Sequence, residues 1–67
     1  MIQIRLNGET REIDRVSDVS AVLDKFELPA KRIAVELNGE IVARVKWRDT
    51  PVNEGDRLEV VHFVGGG

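Results

Sequence analysis

Two stretches of strict alternation each run into Asn-Gly, and this pairing constrains the fold more than any other feature of the chain. In MIQIRL, Ile2, Ile4 and Leu6 share one face while Gln3 and Arg5 share the other. In RIAVELN, Ile33, Val35 and Leu37 point one way. Period two over this length marks a half-buried β-strand. Asn7-Gly8 and Asn38-Gly39 follow, and a type I′ hairpin turn requires positive φ at both central residues, which Asn and Gly tolerate. Each stretch is therefore predicted to be the outgoing arm of a hairpin. Residues 10–14 (TREID) return from the first, with Ile13 inward. Residues 40–45 (EIVARV) return from the second.

Between the hairpins the period changes. Val19, Val22, Leu23 and Phe26 fall at i, i+3, i+4 and i+7, the stripe of an amphipathic helix. Ser17 is the expected N-cap, Asp18 places negative charge at the positive end of the helix dipole, and Pro29 is expected to stop a helix of about ten residues. The stretch 47–56 (WRDTPVNEGD) is turn-rich, with Val52 dipping toward the core, and RLEVVHFV reads as a last strand over 57–64. This predicts one α+β domain over residues 1–64 and a flexible glycine tail over 65–67. A single main helix covers one face of a mixed sheet of four to five strands, so the other face meets water or a partner. The first and last strands are the most continuous apolar segments and the natural sheet centre. Side by side they would give a β-grasp; a plain α+β sandwich with another strand order remains open from pattern alone.

A chain of 67 residues buries only about 60% of its unfolded surface and has little material for a deep pocket. It has no cysteine and one histidine, His62, so no disulfide or metal cluster of those ligands is expected. Ten basic and 12 acidic residues leave a net charge of −2, unlike the basic patch of a nucleic-acid binder. No apolar run approaches the roughly 20 residues of a membrane span, and no charged-then-apolar leader precedes the first strand. The expectation is a soluble cytoplasmic protein with no nucleic-acid or membrane partner. No phosphate-binding glycine motif is present, and Gly8, Gly39 and Gly55 read as turn residues. No nucleophile–histidine–acid arrangement is recognisable; Ser17 and Ser20 read as cap and surface. The chain is therefore expected to be no enzyme, with no catalytic residue, no metal and no bound cofactor. Trp47 reads as a loop anchor over the sheet edge, His62 as a residue at the core margin, and Glu54, Asp56 and Glu59 as a solvated face.

The last strand carries the stronger functional signal. Leu58 and Val60 are core positions, which puts Val61 and Phe63 on the opposite face with Glu59. Exposed apolar residues beside a flexible end predict a docking surface, formed by Val61, Phe63 and the adjoining Val64. The chain then ends in Gly65, Gly66 and Gly67. Glycine loses the most freedom on folding and adds no packing, so this run does little for the fold: it is either a disordered end without purpose or an end shaped for something else.

Taken together, MIQIRLNGE, IAVELNGEIVAR, the single Trp47, EGDRLEVV and the terminal VGGG resemble the ThiS-type sulfur carriers of thiamin biosynthesis over essentially the whole chain. The resemblance implies a β-grasp (ubiquitin-like) fold and no catalysis by the chain itself. It implies that a ubiquitin-activating-type adenylyltransferase uses ATP to adenylate the carboxylate of Gly67. Sulfur from a donor such as a cysteine desulfurase then makes a thiocarboxylate, which thiazole synthase consumes. Gly65 and Gly66 would thread the partner's active site. A tail without side chains suits a narrow channel that must align carboxylate, ATP and sulfur nucleophile, and a chain without cysteine can hold sulfur only at its C-terminus. Two related readings use the same adenylation: the small subunit of molybdopterin synthase, and a ubiquitin-like modifier that conjugates to lysine.

Overall fold

The computed structural model describes residues 1–28 and 31–63. Strands β1 (Ile2–Leu6) and β2 (Glu9–Ile13) form the first antiparallel hairpin, with Ile2 opposite Ile13 and Leu6 opposite Glu9. A two-residue strand β3 (Ser17–Asp18) leads into helix α1 (Val19–Lys25). The second hairpin is β4 (Ile33–Leu37) with β5 (Glu40–Val42). A 3-10 helix (Arg44–Asp49), a short strand β6 (Pro51–Val52) and the long strand β7 (Arg57–His62) complete the order. At both hairpin turns Asn and Gly take positive φ, 51° and 82° at Asn7-Gly8, 53° and 89° at Asn38-Gly39, the geometry whose twist matches that of the flanking strands.

The main sheet runs β2-β1-β7-β4-β5. Strands β1 and β7 are adjacent and parallel, with Leu6 opposite Leu58. On the other side β7 is antiparallel to β4, with Val60 opposite Val35 and Leu58 opposite Leu37. The two most apolar strands thus lie together, and the strand order left open by pattern is that of a β-grasp. One face of the sheet supplies Ile4, Ile13, Val35, Leu58 and Val60 to a core that α1 closes with Val19, Val22 and Leu23. Each such side chain contributes about 1.5–3 kcal/mol of burial to a domain whose total margin is on the order of 5 kcal/mol.

The structure departs from the sequence expectations at several places, the last strand among them, which ends at His62 with Phe63 beyond it. The N-cap is Asp18, not Ser17: its Oδ1 accepts the backbone N–H of Ala21 at 2.8 Å, while Ser17 Oγ donates to the Asp14 carbonyl. The helix has seven residues rather than about ten. It ends in a Schellman arrangement before the proline is reached. The N–H of Leu28 bonds to Leu23 O and that of Glu27 to Asp24 O, with Glu27 at φ 55°, so the chain turns off through a left-handed residue. Pro29, expected to set the stop, lies outside the described residues.

The return strand of the second hairpin closes at Val42, and 44–49 coil into the 3-10 helix instead of continuing as a strand to 45. The cause is Trp47. Its ring is buried in the core at 6% exposure, its indole N–H donates to Val42 O at 3.0 Å, and the Arg44 guanidinium lies 5.3 Å from its centroid. Pulling Trp47 inward ends the alternation and leaves Val45 outside; tertiary packing overrides β propensity here. The anchor role expected of Trp47 therefore holds, but as core rather than as a cover over the sheet edge. Finally, β3 and β6 form a small second sheet, Ser17 opposite Val52, which fixes the buried Val52 beside the start of α1.

Candidate functional site

Strand β7 has two faces with opposite characters. Leu58 and Val60 point into the core. Glu59 and Val61 point away from it, and Phe63 continues that phase just past the strand. Val61 is 51% exposed and Phe63 59%, as the phase of the strand predicted. On the same outer face Val61 lies opposite Ala34 of β4, and Ile41 of β5, 67% exposed, lies opposite Glu36. Val61, Ala34, Ile41 and Phe63 make an apolar area across β7, β4 and β5, and Glu36 and Glu59 interrupt it. The hollows on this face are open ones, including one lined by Glu36, Gly39, Arg57 and Glu59. This geometry suits the docking of a protein surface rather than enclosure of a small molecule.

Side chains of both hairpin turns hold this strand in place. Beyond Leu6 the chain of β1 turns away, yet the N–H of Val60 still finds an acceptor, Asn7 Oδ1 at 2.7 Å. The backbone N–H of Asn7 also donates to Leu58 O at 2.9 Å. Asn38 acts alike from the other hairpin: its Oδ1 accepts the N–H of Arg57 at 2.9 Å, and its Nδ2 donates to Asp56 Oδ1 at 3.0 Å. Both turn asparagines thus supply left-handed backbone and at the same time clasp β7. At its far end, Phe63 N–H donates to Arg32 O at 2.8 Å.

These asparagine side chains were not foreseen. Asn-Gly announces the turn, but the bond from Val60 to Asn7 spans 53 positions, and no local pattern encodes it. The carboxylates near the end divide. Asp56 is structural and not merely solvated, because Oδ1 takes Asn38 and Oδ2 takes the N–H of Asn53 at 2.7 Å. Glu54 caps the N–H of Gln3 at 3.3 Å, and Glu59 stands on the outer face. His62 is exposed, opposite Ile33; it sits on the helix-side face at the strand end, where the core stops. Val64, Gly65, Gly66 and Gly67 lie outside the described residues.

The model of the ThiS family matches residues 4–67. The chain belongs to the ThiS family. It is a β-grasp protein of the sulfur-carrier type. The solved ThiS thiamine biosynthesis protein of Geobacter metallireducens superposes with a TM-score of 0.88 at 32% identity, covering 98% of this chain and all of that one. A sulfur carrier protein ThiS of Thermus thermophilus is 36% identical over 92% of this chain and 95% of its own length. A Paramagnetospirillum magneticum protein named thiazole synthase is 38% identical over 98% of this chain, which spans only 20% of that longer protein. The family match runs through the outer-face residues of β7 and the terminal glycines alike.

Proposed function

We propose that the chain carries sulfur as a thiocarboxylate on Gly67 and hands it to thiazole synthase for the thiazole ring of thiamin. The observation that carries this reading is the family match extending to the last glycine. A carboxylate is a poor acyl donor at neutral pH because its leaving group is poor. An activating enzyme of the ubiquitin-activating type joins it to AMP from ATP, releasing pyrophosphate. The terminal sulfur of a donor persulfide, of the kind a cysteine desulfurase forms, then attacks the carbonyl and AMP departs. A second thiol cleaves the resulting acyl disulfide, leaving the thiocarboxylate on the chain and a disulfide on the donor side. None of these steps needs a catalytic side chain, a metal or a cofactor on the carrier, and ATP is bound by the partner.

Gly65 and Gly66 fit a narrow channel because they bring no Cβ to it and accept positive φ. Val61 and Phe63, with the adjoining Val64, form the docking contact that aligns the tail. Thiazole synthase as the recipient is supported by relatives of that name which contain a region like this chain, and it is preferred on that ground to molybdopterin synthase. This chemistry needs ATP and a persulfide donor, and the cytoplasm, the location proposed for the carrier, supplies both.

ATP–pyrophosphate exchange with the activating enzyme of the same organism tests the reading. Deleting Gly66 and Gly67 is expected to leave the melting temperature unchanged and to abolish exchange; exchange that survives the deletion overturns the mechanism. Intact-mass spectra of protein purified from cells are expected to show a fraction heavier by exchange of one oxygen for one sulfur. A ladder of larger conjugates that depends on the two glycines would instead identify a modifier.

A further inference from the structure

The outer face of the sheet places like charges directly opposite one another twice. Arg5 of β1 faces Arg57 of β7, and Glu36 of β4 faces Glu59 of β7. Direct cross-strand pairs have Cβ atoms about 5 Å apart, and like charges there oppose pairing. Among the described residues the one ion pair joins Arg11 to Glu9 on the edge strand, so neither Glu36 nor Glu59 has a cation at pairing distance. Fold stability alone gives no reason for either pair.

The two pairs sit differently on the face. Arg5 and Arg57 stand one row further from the exit of β7, and their long side chains can reach water past a covering surface. Glu36 and Glu59 lie one step from the apolar strip: Val61 and Ala34 form the next row, Ile41 is opposite Glu36, and Phe63 comes after Val61. Any protein that covers this strip also takes both carboxylates out of water. Burying unpaired carboxylates opposes association strongly; Arg57 lines the same hollow but pairs with neither, so a covering surface that supplies a cation between them removes the penalty.

We propose that the protein docking on this face inserts an arginine guanidinium between Glu36 and Glu59, flanked by apolar side chains that cover Val61, Ala34, Ile41 and Phe63. A guanidinium fits better than an ammonium because its planar fork can donate to two carboxylates at once. The glutamate pair is thus a recognition element that the free domain carries at some cost to its own stability. The proposal deepens the carrier reading and rests on it, with the activating enzyme as the docking protein.

The test uses the full chain and the purified activating enzyme of the same organism. Glu36→Gln, Glu59→Gln and the double variant are compared with wild type by calorimetric titration at several salt concentrations, and by thermal unfolding of the chain alone. Each single variant is expected to bind about tenfold more weakly with a shallower dependence on salt. Its melting temperature should equal or exceed that of wild type. Equal affinity in wild type and the double variant overturns the proposal, as does a melting temperature lowered in both single variants. Sedimentation checks the other occupant: a wild-type dimer that the double variant loses would assign the face to a second copy and also overturn it. If wild type binds and is adenylated while the variants match it, only this proposal falls. If wild type does not bind the enzyme at all, the carrier reading falls with it.

Discussion

The two faces of the main sheet obey different rules. The inner face reads as a folding surface: Ile4, Ile13, Val35 and Leu58 are each almost fully buried, and their cross-strand neighbours there are mostly apolar. The outer face keeps Val61, Ile41 and Phe63 in water and aligns Glu36 with Glu59 and Arg5 with Arg57. One strand, β7, contributes to both. The contrast teaches that β7 is selected twice, for packing through Leu58 and Val60 and for contact with another surface through Glu59, Val61 and Phe63. If so, substitutions on one strand should separate by parity: Leu58 and Val60 change stability, while Glu59, Val61 and Phe63 change association.

The largest effect is expected at the inner face. Leu58 is fully buried at the centre of the sheet, opposite Leu6 on one side and Leu37 on the other. Leu58→Ala removes its transfer free energy and leaves a cavity, a loss of about 3 kcal/mol. That is more than half the margin of a domain this small, so the urea midpoint should fall by more than half. A loss below about 1 kcal/mol would mean that the inner face is not the folding surface.

An intermediate effect belongs to the clasp between the hairpin and β7. Asn7→Ala leaves the part-buried N–H of Val60 without its acceptor and puts alanine at a positive φ. Each change costs about 1 kcal/mol, so a loss of about 2 kcal/mol is expected in the same unfolding measurement. Asn7→Gly relieves the backbone and isolates the lost bond, so it should retain about half of that deficit. Equal losses in the two variants would show that the lost hydrogen bond alone accounts for the asparagine, and no loss in Asn7→Gly would leave only its backbone conformation.

How far the sequence could have led differs across these regions for physical reasons. Alternation and Asn-Gly pairs are local signals, so β1, β4, both turns and the inward set Ile2, Ile4, Leu6, Ile33 and Val35 are legible, and so is the exposure of Val61 and Phe63, which parity alone dictates. The features that escaped depend on distant partners. Trp47 converts a strand-like stretch into a 3-10 helix because the core has room for its ring. The Schellman turn at Glu27 uses a residue with no special preference for left-handed backbone. Glu36 and Glu59 are ordinary charges until the register of β4 on β7 sets them opposite one another. Strand pairing, which period two cannot encode, is the missing information in each functional case.

The smallest effect on stability, and the sharpest test of the contrast, is expected at Phe63. Its ring is more than half exposed, and the bond that ties this residue to the domain, backbone N–H to Arg32 O, does not involve the side chain. Phe63→Ala should therefore change stability by less than about 1 kcal/mol. Covered by a partner, the same ring would bury most of its remaining apolar surface, worth about 1.5 kcal/mol, so affinity for the activating enzyme should fall about tenfold. Measured together, the unfolding midpoint and the dissociation constant must move unequally. If instead the midpoint falls as far as it does for Leu58→Ala, Phe63 is core in solution, the parity of β7 breaks at His62, and the outer face loses its strongest claim to be a docking surface.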